Sequence, residues 1–292
     1  MRYFLKRNTV DCINELDISE QDFNDLVEAK ATLRKALEIE DMYEQLLASY
    51  VELEQDVLSL TVKHMVFHDS GYSEIHKKRS IVNRRIFSVL ATAKLYVDRI
   101  DSETARCSGV EEHKESVKAF RSAEYESLRE YRFVEALRNS VQHHSLPVHG
   151  MSFGSKWDGE KTENQYSSAY YANKVELAKN AGFKRSVLNE TPERVDLLSE
   201  VRVYIAALSH VHIQVRGLID HAVSNARQLI ETHIKQYEGF DSGGSLGLVA
   251  VSYENDEKYE AVPILLDWDD VRLSLVSKNR ALTNLERRFA RS

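Results

Sequence analysis

Proline is scarce in this chain, and that constrains its fold more than any other feature. The first of its three prolines is Pro147; the others are Pro192 and Pro263, and only 11 glycines occur in 292 residues. Proline lacks the amide hydrogen a helix needs, and glycine weakens a helix interior. The scarcity of both predicts a mostly helical protein. Apolar residues make up 42% of the chain, enough to bury a core.

Hydrophobic spacing gives the elements. From Ser19, Phe23, Leu26, Leu33, Leu37 and Ile39 recur at helical intervals, followed by Tyr43, Leu46, Leu47, Tyr50, Val51, Val57 and Leu58. One long helix, or two stacked ones, is expected to about Phe67, where the turn formers DSGYS (69–73) end it. A second helix is expected from about Glu74 to Ala105, with Ile81, Ile86, Val89, Leu90, Leu95, Tyr96 and Ile100 as its apolar stripe. A third is expected from about Glu111 to His143, burying Val117, Phe120, Tyr125, Leu128, Phe133, Val134 and Leu137. Packed antiparallel, these three make most of a bundle.

Residues 145–172 are rich in glycine, serine and polar side chains and read as a long loop, with Tyr166, Tyr170 and Tyr171 as candidates for a short strand. Helix is expected again over Pro192–Tyr237, with Thr191 as N-cap, Pro192 at the first position and Glu193 and Asp196 in the first turn. Beyond the glycine-rich 239–247, LGLVAVSYENDEKYEAVPILLDW reads as a β-hairpin turning at Glu254–Glu257, and a last helix is expected from about Trp268 to Arg291. The expected fold is mainly α: an antiparallel helical bundle with a small C-terminal β-hairpin and final helix. Its expected divisions are a bundle over 1–238 with an inserted loop at about 145–175, and a hairpin plus helix over 239–292, packed on the bundle.

The formal net charge of −7 argues against a protein that coats nucleic acid over its whole surface. The charge is uneven. Residues 1–62 carry 14 acids and 6 bases, residues 63–106 carry 9 bases and 5 acids, so a local basic surface fits an acidic protein. Cys12 and Cys107 are far apart, form no metal spacing, and suit reduced cytosolic thiols. The N-terminal stretch has no long apolar region, and no apolar run approaches the roughly 20 residues of a membrane span. A cytoplasmic protein with no membrane partner is expected.

Chemistry concentrates in EALRNSVQHHSLPVHG, residues 135–150. Arg138 and His143 fit the pattern R-x(4–6)-H, but so do Arg106 and His113, Arg216 and His221, and Arg227 and His233, so the spacing alone identifies nothing. Three features single out the first pair. Asn139 follows the arginine directly, His144 adjoins the first histidine, and the cluster ends a helix beside a loop. Asn139 and His143, four apart, lie about 40° around a helix and share a face, toward which the long Arg138 side chain can swing. Arginine offers a bidentate fork to phosphate oxygens, and histidine moves protons near neutral pH. RNA brings its own nucleophile, the 2′-hydroxyl, so this set suits phosphodiester chemistry without a metal.

At Arg138-Asn139…His143 the chain resembles the HEPN superfamily, small helical bundles of which many are RNases in toxin–antitoxin and antiphage systems. The family signature is R-x(4–6)-H, often with Asn, His or Asp directly after the arginine. IVNRRIFSVLATAKLYVDRID (81–101) and the RN…QHHSLPV stretch resemble bacterial HEPN-like proteins. The resemblance covers about residues 40–150, is weaker over 190–237, and leaves the hairpin and last helix uncovered. It implies a metal-independent endoribonuclease without cofactor, working as a homodimer whose two motifs share one cleft, and an antitoxin or defence-system partner protein. His143 would act as general base or acid, Arg138 would stabilise the charged transition state, Asn139 would hold phosphate or orient His143, and cleavage would leave a 2′,3′-cyclic phosphate. Some family members lack activity and bind a partner protein or nucleotide as dimeric scaffolds.

Other residues carry weaker expectations. His144 is a candidate substrate contact, although neighbours on a helix face different ways. A metal site built from His143, His144 and His149 lacks a carboxylate or cysteine at ligand spacing, so no metal is expected. The basic run Lys77, Lys78 and Arg79 after His76, with Arg84 and Arg85, is a candidate grip on an RNA backbone, against the plainer reading of a solvated face. Trp157 and Tyr166–Tyr171 are candidates to stack bases or to pack over the helices. His210, His212, His221 and His233 read as surface or packing residues.

Overall fold

The computed structural model describes residues 1–8, 14–68, 71–143, 146–180, 182–254 and 257–288; at 142–143 and 257–258 it describes the backbone alone. The protein is mainly α. By backbone contacts the chain divides into two compact units. The first holds Met1–Asp41, Ile100–Val117 and Gln214–Arg280; the second holds Met42–Arg99, Lys118–Ile213 and Ala281–Ser292.

Three long helices supply residues to each unit: α1 (Glu20–Phe67), α2 (Tyr72–Ser108) and, later in the chain, α7 (Leu197–Phe240). Helix α1 starts where a reciprocal cap allows it. Asp22 N donates to Ser19 Oγ at 3.0 Å, and Ser19 N donates to Asp22 Oδ2 at 3.0 Å, satisfying amides that the first turn leaves free. The expected stripes are largely buried: Phe23, Leu26, Leu33, Ile39, Tyr43 and Leu46 on α1, and Ile86, Val89, Leu90, Tyr96 and Ile100 on α2. Val51, Leu58 and Leu95 are corrections, because each lies about half exposed on the outer side of its helix.

In the first unit, strands β1 (Arg2–Arg7), β2 (Glu15–Asp17), β6 (Leu248–Glu254) and β7 (Glu257–Pro263) form an antiparallel sheet in the order β2-β1-β6-β7. Phe4, Val249 and Val251 make its small core, with Tyr253 and Ala261 packed against them. Helix α8 runs from Asp267 only to Lys278, not to about Arg291. At Asn279 the backbone leaves helical geometry, and its carbonyl accepts Arg216 Nη1 at 2.8 Å. Arg216 also grips the buried Glu40 with Nε at 2.8 Å and Nη2 at 2.6 Å.

The second unit holds the second sheet and the candidate site. Residues 145–172 are not a long loop. Strand β3 (Gly150–Trp157) pairs antiparallel with β4 (Asn164–Asn173), from Gly150 opposite Tyr171 to Trp157 opposite Asn164. Serine and glycine hid a strand alternation in which Tyr170 and Ala172 are buried while Tyr171 is only partly so. The hairpin docks on the end of α1: Phe153 packs on His64 with ring centroids 4.8 Å apart, and Thr61 and Ser168 share a 2.7 Å hydrogen bond.

Short helices α5 (Lys174–Ala178) and α6 (Arg185–Glu190) follow, then strand β5 (Arg194–Asp196), which pairs with the end of β4. The start of α7 is therefore a second correction. Thr191 does not cap α7; it closes α6, its hydroxyl donating to Val187 O at 2.7 Å. Asp196 takes the capping role, its Oδ1 accepting Leu198 N at 3.0 Å. The expected third helix is also two helices, α3 (Glu112–Ser127) and α4 (Arg129–His143). The break at Leu128 carries neither glycine nor proline. Arg132 donates to the carbonyls of Tyr125 and Glu126, both at 2.9 Å, supplying partners that a continuing helix would have supplied.

Candidate functional site

Helix α4 places the motif. Glu135 and Arg138 are three apart and share a helix face. Arg138 is buried, and its guanidinium closes on Glu135 through two contacts, Nη1 to Oε1 at 3.0 Å and Nη2 to Oε2 at 2.8 Å. From α7, Tyr204 donates its hydroxyl to Glu135 Oε1. Full burial, with the Glu135 carboxylate beside it, holds that hydroxyl far above its usual titration range. The Tyr131 ring packs on Tyr204 at 4.8 Å and its hydroxyl is pushed up chiefly by burial. Arg138 is thus held in one geometry by a bidentate charged pair. Its Nε is buried with no hydrogen-bond partner among the described residues.

Asn139 is exposed and accepts Arg138 Nη2 at 3.5 Å, the outer limit of a hydrogen bond. It borders a small cavity of about 160 Å³ with Tyr125, Arg132, Glu135 and Lys184. His143 is the last residue of α4; its side chain, and the whole of His144, lie outside the described residues. His149 is structural: its Nδ1 accepts Asn173 N at 3.0 Å, which requires that nitrogen unprotonated, and burial lowers its pKa.

The basic run splits several ways, because successive residues on a helix face different directions. Lys77 pairs with Glu74 at 2.7 Å. Lys78 is buried, its ammonium 4.7 Å from the Phe153 ring centroid. Arg85 donates Nε to Asp56 Oδ2 at 2.6 Å and also pairs with Glu52. Arg79 and Arg84 instead line a cavity of about 360 Å³ with His76, Ser80, Asn83 and Phe87, facing Val141 of α4, Leu146 and Pro147. Among the described residues, no carboxylate lines it. Asn83, 3% exposed, is fixed by Val148 N, which donates to its Oδ1 at 2.9 Å. Arg138 and Asn139 are not among the lining residues, but Val141 is one turn on from Arg138.

The sequence reading missed Glu135, Tyr204, Asn83 and Phe87. A signal for the α2 wall was present: residues 76, 79, 80, 83, 84 and 87 form one stripe at helical spacing. The contiguous charge of Lys77, Lys78 and Arg79 cuts across it. Among the described residues, no group of three or more His, Cys, Asp or Glu is placed to hold a metal ion, and no helix is long and apolar enough to cross a membrane. No family model, no curated protein and no solved structure matches the chain.

Proposed function

We propose that this protein is a HEPN-type, metal-independent endoribonuclease, a homodimeric antiparallel bundle serving a bacterial toxin or antiphage system. The observation that supports it is one juxtaposition. The end of α4, which carries Arg138, Asn139 and His143, borders a cavity whose α2 wall carries His76, Arg79 and Arg84 and no acid. An RNA backbone is drawn to such a wall by charge. In the reaction, the 2′-oxygen attacks the adjacent phosphorus, forming the O2′–P bond and breaking P–O5′. The 2′-hydroxyl gives up its proton, the leaving O5′ gains one, and the products are a 2′,3′-cyclic phosphate and a 5′-hydroxyl. His143 moves a proton at one of these oxygens. Arg138 stabilises the charge on the phosphoryl oxygens with the donors Glu135 does not take, and Asn139 holds phosphate.

The test uses an oligoribonucleotide in EDTA and the same strand with a single 2′-deoxy substitution at the cut position. The deoxy strand stays intact, and Arg138→Ala and His143→Ala, folded by circular dichroism, slow cutting about 100-fold or more. Cutting of the deoxy strand, or full activity in both variants, sinks the reading. A specific observation favours a second one: the bidentate closure of Arg138 on Glu135 suits a non-catalytic binding module, in which Arg138 is structural. That module binds RNA, a nucleotide or a partner protein and leaves the oligoribonucleotide whole.

A further inference from the structure

We infer that the α2 stripe His76-Arg79-Ser80-Asn83-Arg84-Phe87 is a binding site for one nucleotide unit, a phosphate ester carrying a flat base. For its natural ligand the site relies on the RNA-directed reading above; binding itself does not require cleavage.

Four observations converge. First, the residues at i, i+3, i+4, i+7, i+8 and i+11 of one helix put a histidine, two guanidiniums, a hydroxyl and an amide on a single wall, with no carboxylate among the lining residues. Around it every other arginine or lysine of the run has a partner: Glu74, the Phe153 ring, or Glu52 with Asp56. The described residues provide Arg79 and Arg84 with no ion pair. Arg79 is half-buried and His76 and Arg84 are exposed, so the wall presents positive charge with no counter-charge among the lining residues, and the guanidinium fork matches phosphate oxygens in pairs.

Second, Asn83 is 3% exposed, and its Oδ1 is committed to Val148 N at 2.9 Å. That bond fixes which end of the amide is which. The Nδ2 donor is buried without a partner among the described residues, on the cavity's own wall. An unpaired buried donor costs about 1–3 kcal/mol, which an acceptor entering the cavity recovers. A phosphoryl oxygen or a base carbonyl does.

Third, Phe87 is half exposed at the end of the stripe, and Leu146 and Pro147 line the same cavity. An aromatic face and an apolar pair offer a slot for a planar ring. Fourth, the cavity's size of about 360 Å³ lies at the small end of the range for ligand pockets. It suits one nucleotide, with its base unstacked from any neighbour, and not a duplex segment. The order along the stripe, donors first and then the ring, sets the phosphate at Arg79, Asn83 and Arg84 and the base at Phe87.

The test is calorimetric titration of the full chain carrying His143→Ala, so that cutting cannot remove the ligand. Adenosine 5′-monophosphate is expected to bind saturably, about tenfold or more tighter than either adenosine or inorganic phosphate, since each alone makes half the contacts. Arg84→Ala and the isosteric Asn83→Asp, which keeps Oδ1 but replaces the donor with an oxygen, are each expected to weaken the monophosphate about tenfold. Phe87→Ala weakens it without changing phosphate. Lys156→Ala, an exposed cation of the same unit, serves as the control. Monophosphate binding no tighter than adenosine, or unchanged in both Arg84→Ala and Asn83→Asp, overturns the site. If Asn83→Asp fails to fold, Arg84→Ala decides. A single-stranded trinucleotide binding tighter than the monophosphate assigns the site to a strand, and equal binding assigns it to free nucleotide; both uphold it. Intact RNA in the cleavage assay with this binding present removes the nuclease and leaves the site.

Discussion

Replacing Glu135 with glutamine leaves Arg138 as a buried cation without its carboxylate, and the consequence can be worked from the geometry. The pair is bidentate, at 3.0 and 2.8 Å, with side chains 8% exposed for Arg138 and 18% for Glu135. Removing one partner of a buried pair costs about 3–5 kcal/mol, because the other charge stays desolvated and unmatched. Two features reduce that figure. Glu135 is not fully enclosed, and glutamine retains one oxygen to accept from Arg138 or Tyr204. The expected loss is about 2–3 kcal/mol, which lowers Tm by about 3–5 °C for a chain of this size. Urea unfolding followed by far-ultraviolet circular dichroism measures it. Tyr204→Phe, which removes the donor to Glu135 Oε1, costs about 1 kcal/mol. A Glu135→Leu/Arg138→Met double variant is more stable than Glu135→Gln, since it leaves no buried charge. A Glu135→Gln protein within about 0.5 kcal/mol of the parent refutes the claim that this carboxylate compensates Arg138. The same variant separates the two functional readings. If Arg138 acts on phosphate, freeing it raises RNA cleavage while stability falls; if Arg138 is structural, stability falls and cleavage does not rise.

Three further outcomes follow from buried groups. Burial pushes the Glu200 carboxyl from 4.5 up to about 7, against the opposing pull of Arg129. The folded protein therefore holds that proton where the unfolded chain has lost it, so the contribution of Glu200 to stability is fully present below pH 4.5 and falls as pH rises toward 7, by about 3 kcal/mol. Glu200→Gln removes this slope; urea midpoints at pH 5 and pH 7 that shift equally in both proteins contradict it. The Cys107 thiol, buried and pushed up to about 12, stays unreactive to a thiol reagent at pH 8 in a Cys12→Ser protein until denaturant is added. Rapid modification of the native protein would show the site open. His212 is buried, stacks on Tyr43 at 3.9 Å and bonds Tyr96 through Nδ1 at 3.1 Å, so His212→Ala lowers stability by about 3 kcal/mol. A Tm shift under about 2 °C would show that this stack does not hold the second unit together.

What the sequence revealed, and what it hid, divides by the range of the interactions. Helices α1 and α2 were legible because Phe23, Leu26, Leu33 and Ile39, then Ile86, Val89 and Ile100, repeat locally and nothing interrupts them. Strand β1 was not. RYFLKR is short and half charged, and it becomes a strand by pairing with Leu248–Tyr253 at the far end of the chain. Nor was the break between α3 and α4 visible, since it rests on Arg132 reaching back to two carbonyls. In the site, the residue types at Arg138, Arg79 and Arg84 pointed to phosphate on chemistry alone. Their assignments did not follow, because a partner such as Tyr204 lies 69 positions from Glu135. Lys77, Lys78 and Arg85 look identical to Arg79 and Arg84 in a string of letters; only the helix and its neighbours separate the paired cations from those that face the cavity.

The most direct measurement incubates the purified protein with total RNA in EDTA beside its His143→Ala variant and reads the chemistry of the fragment ends. The account predicts 2′,3′-cyclic phosphate and 5′-hydroxyl ends in the first sample and intact RNA in the second. Intact RNA in both samples, or equal cutting in both, contradicts it.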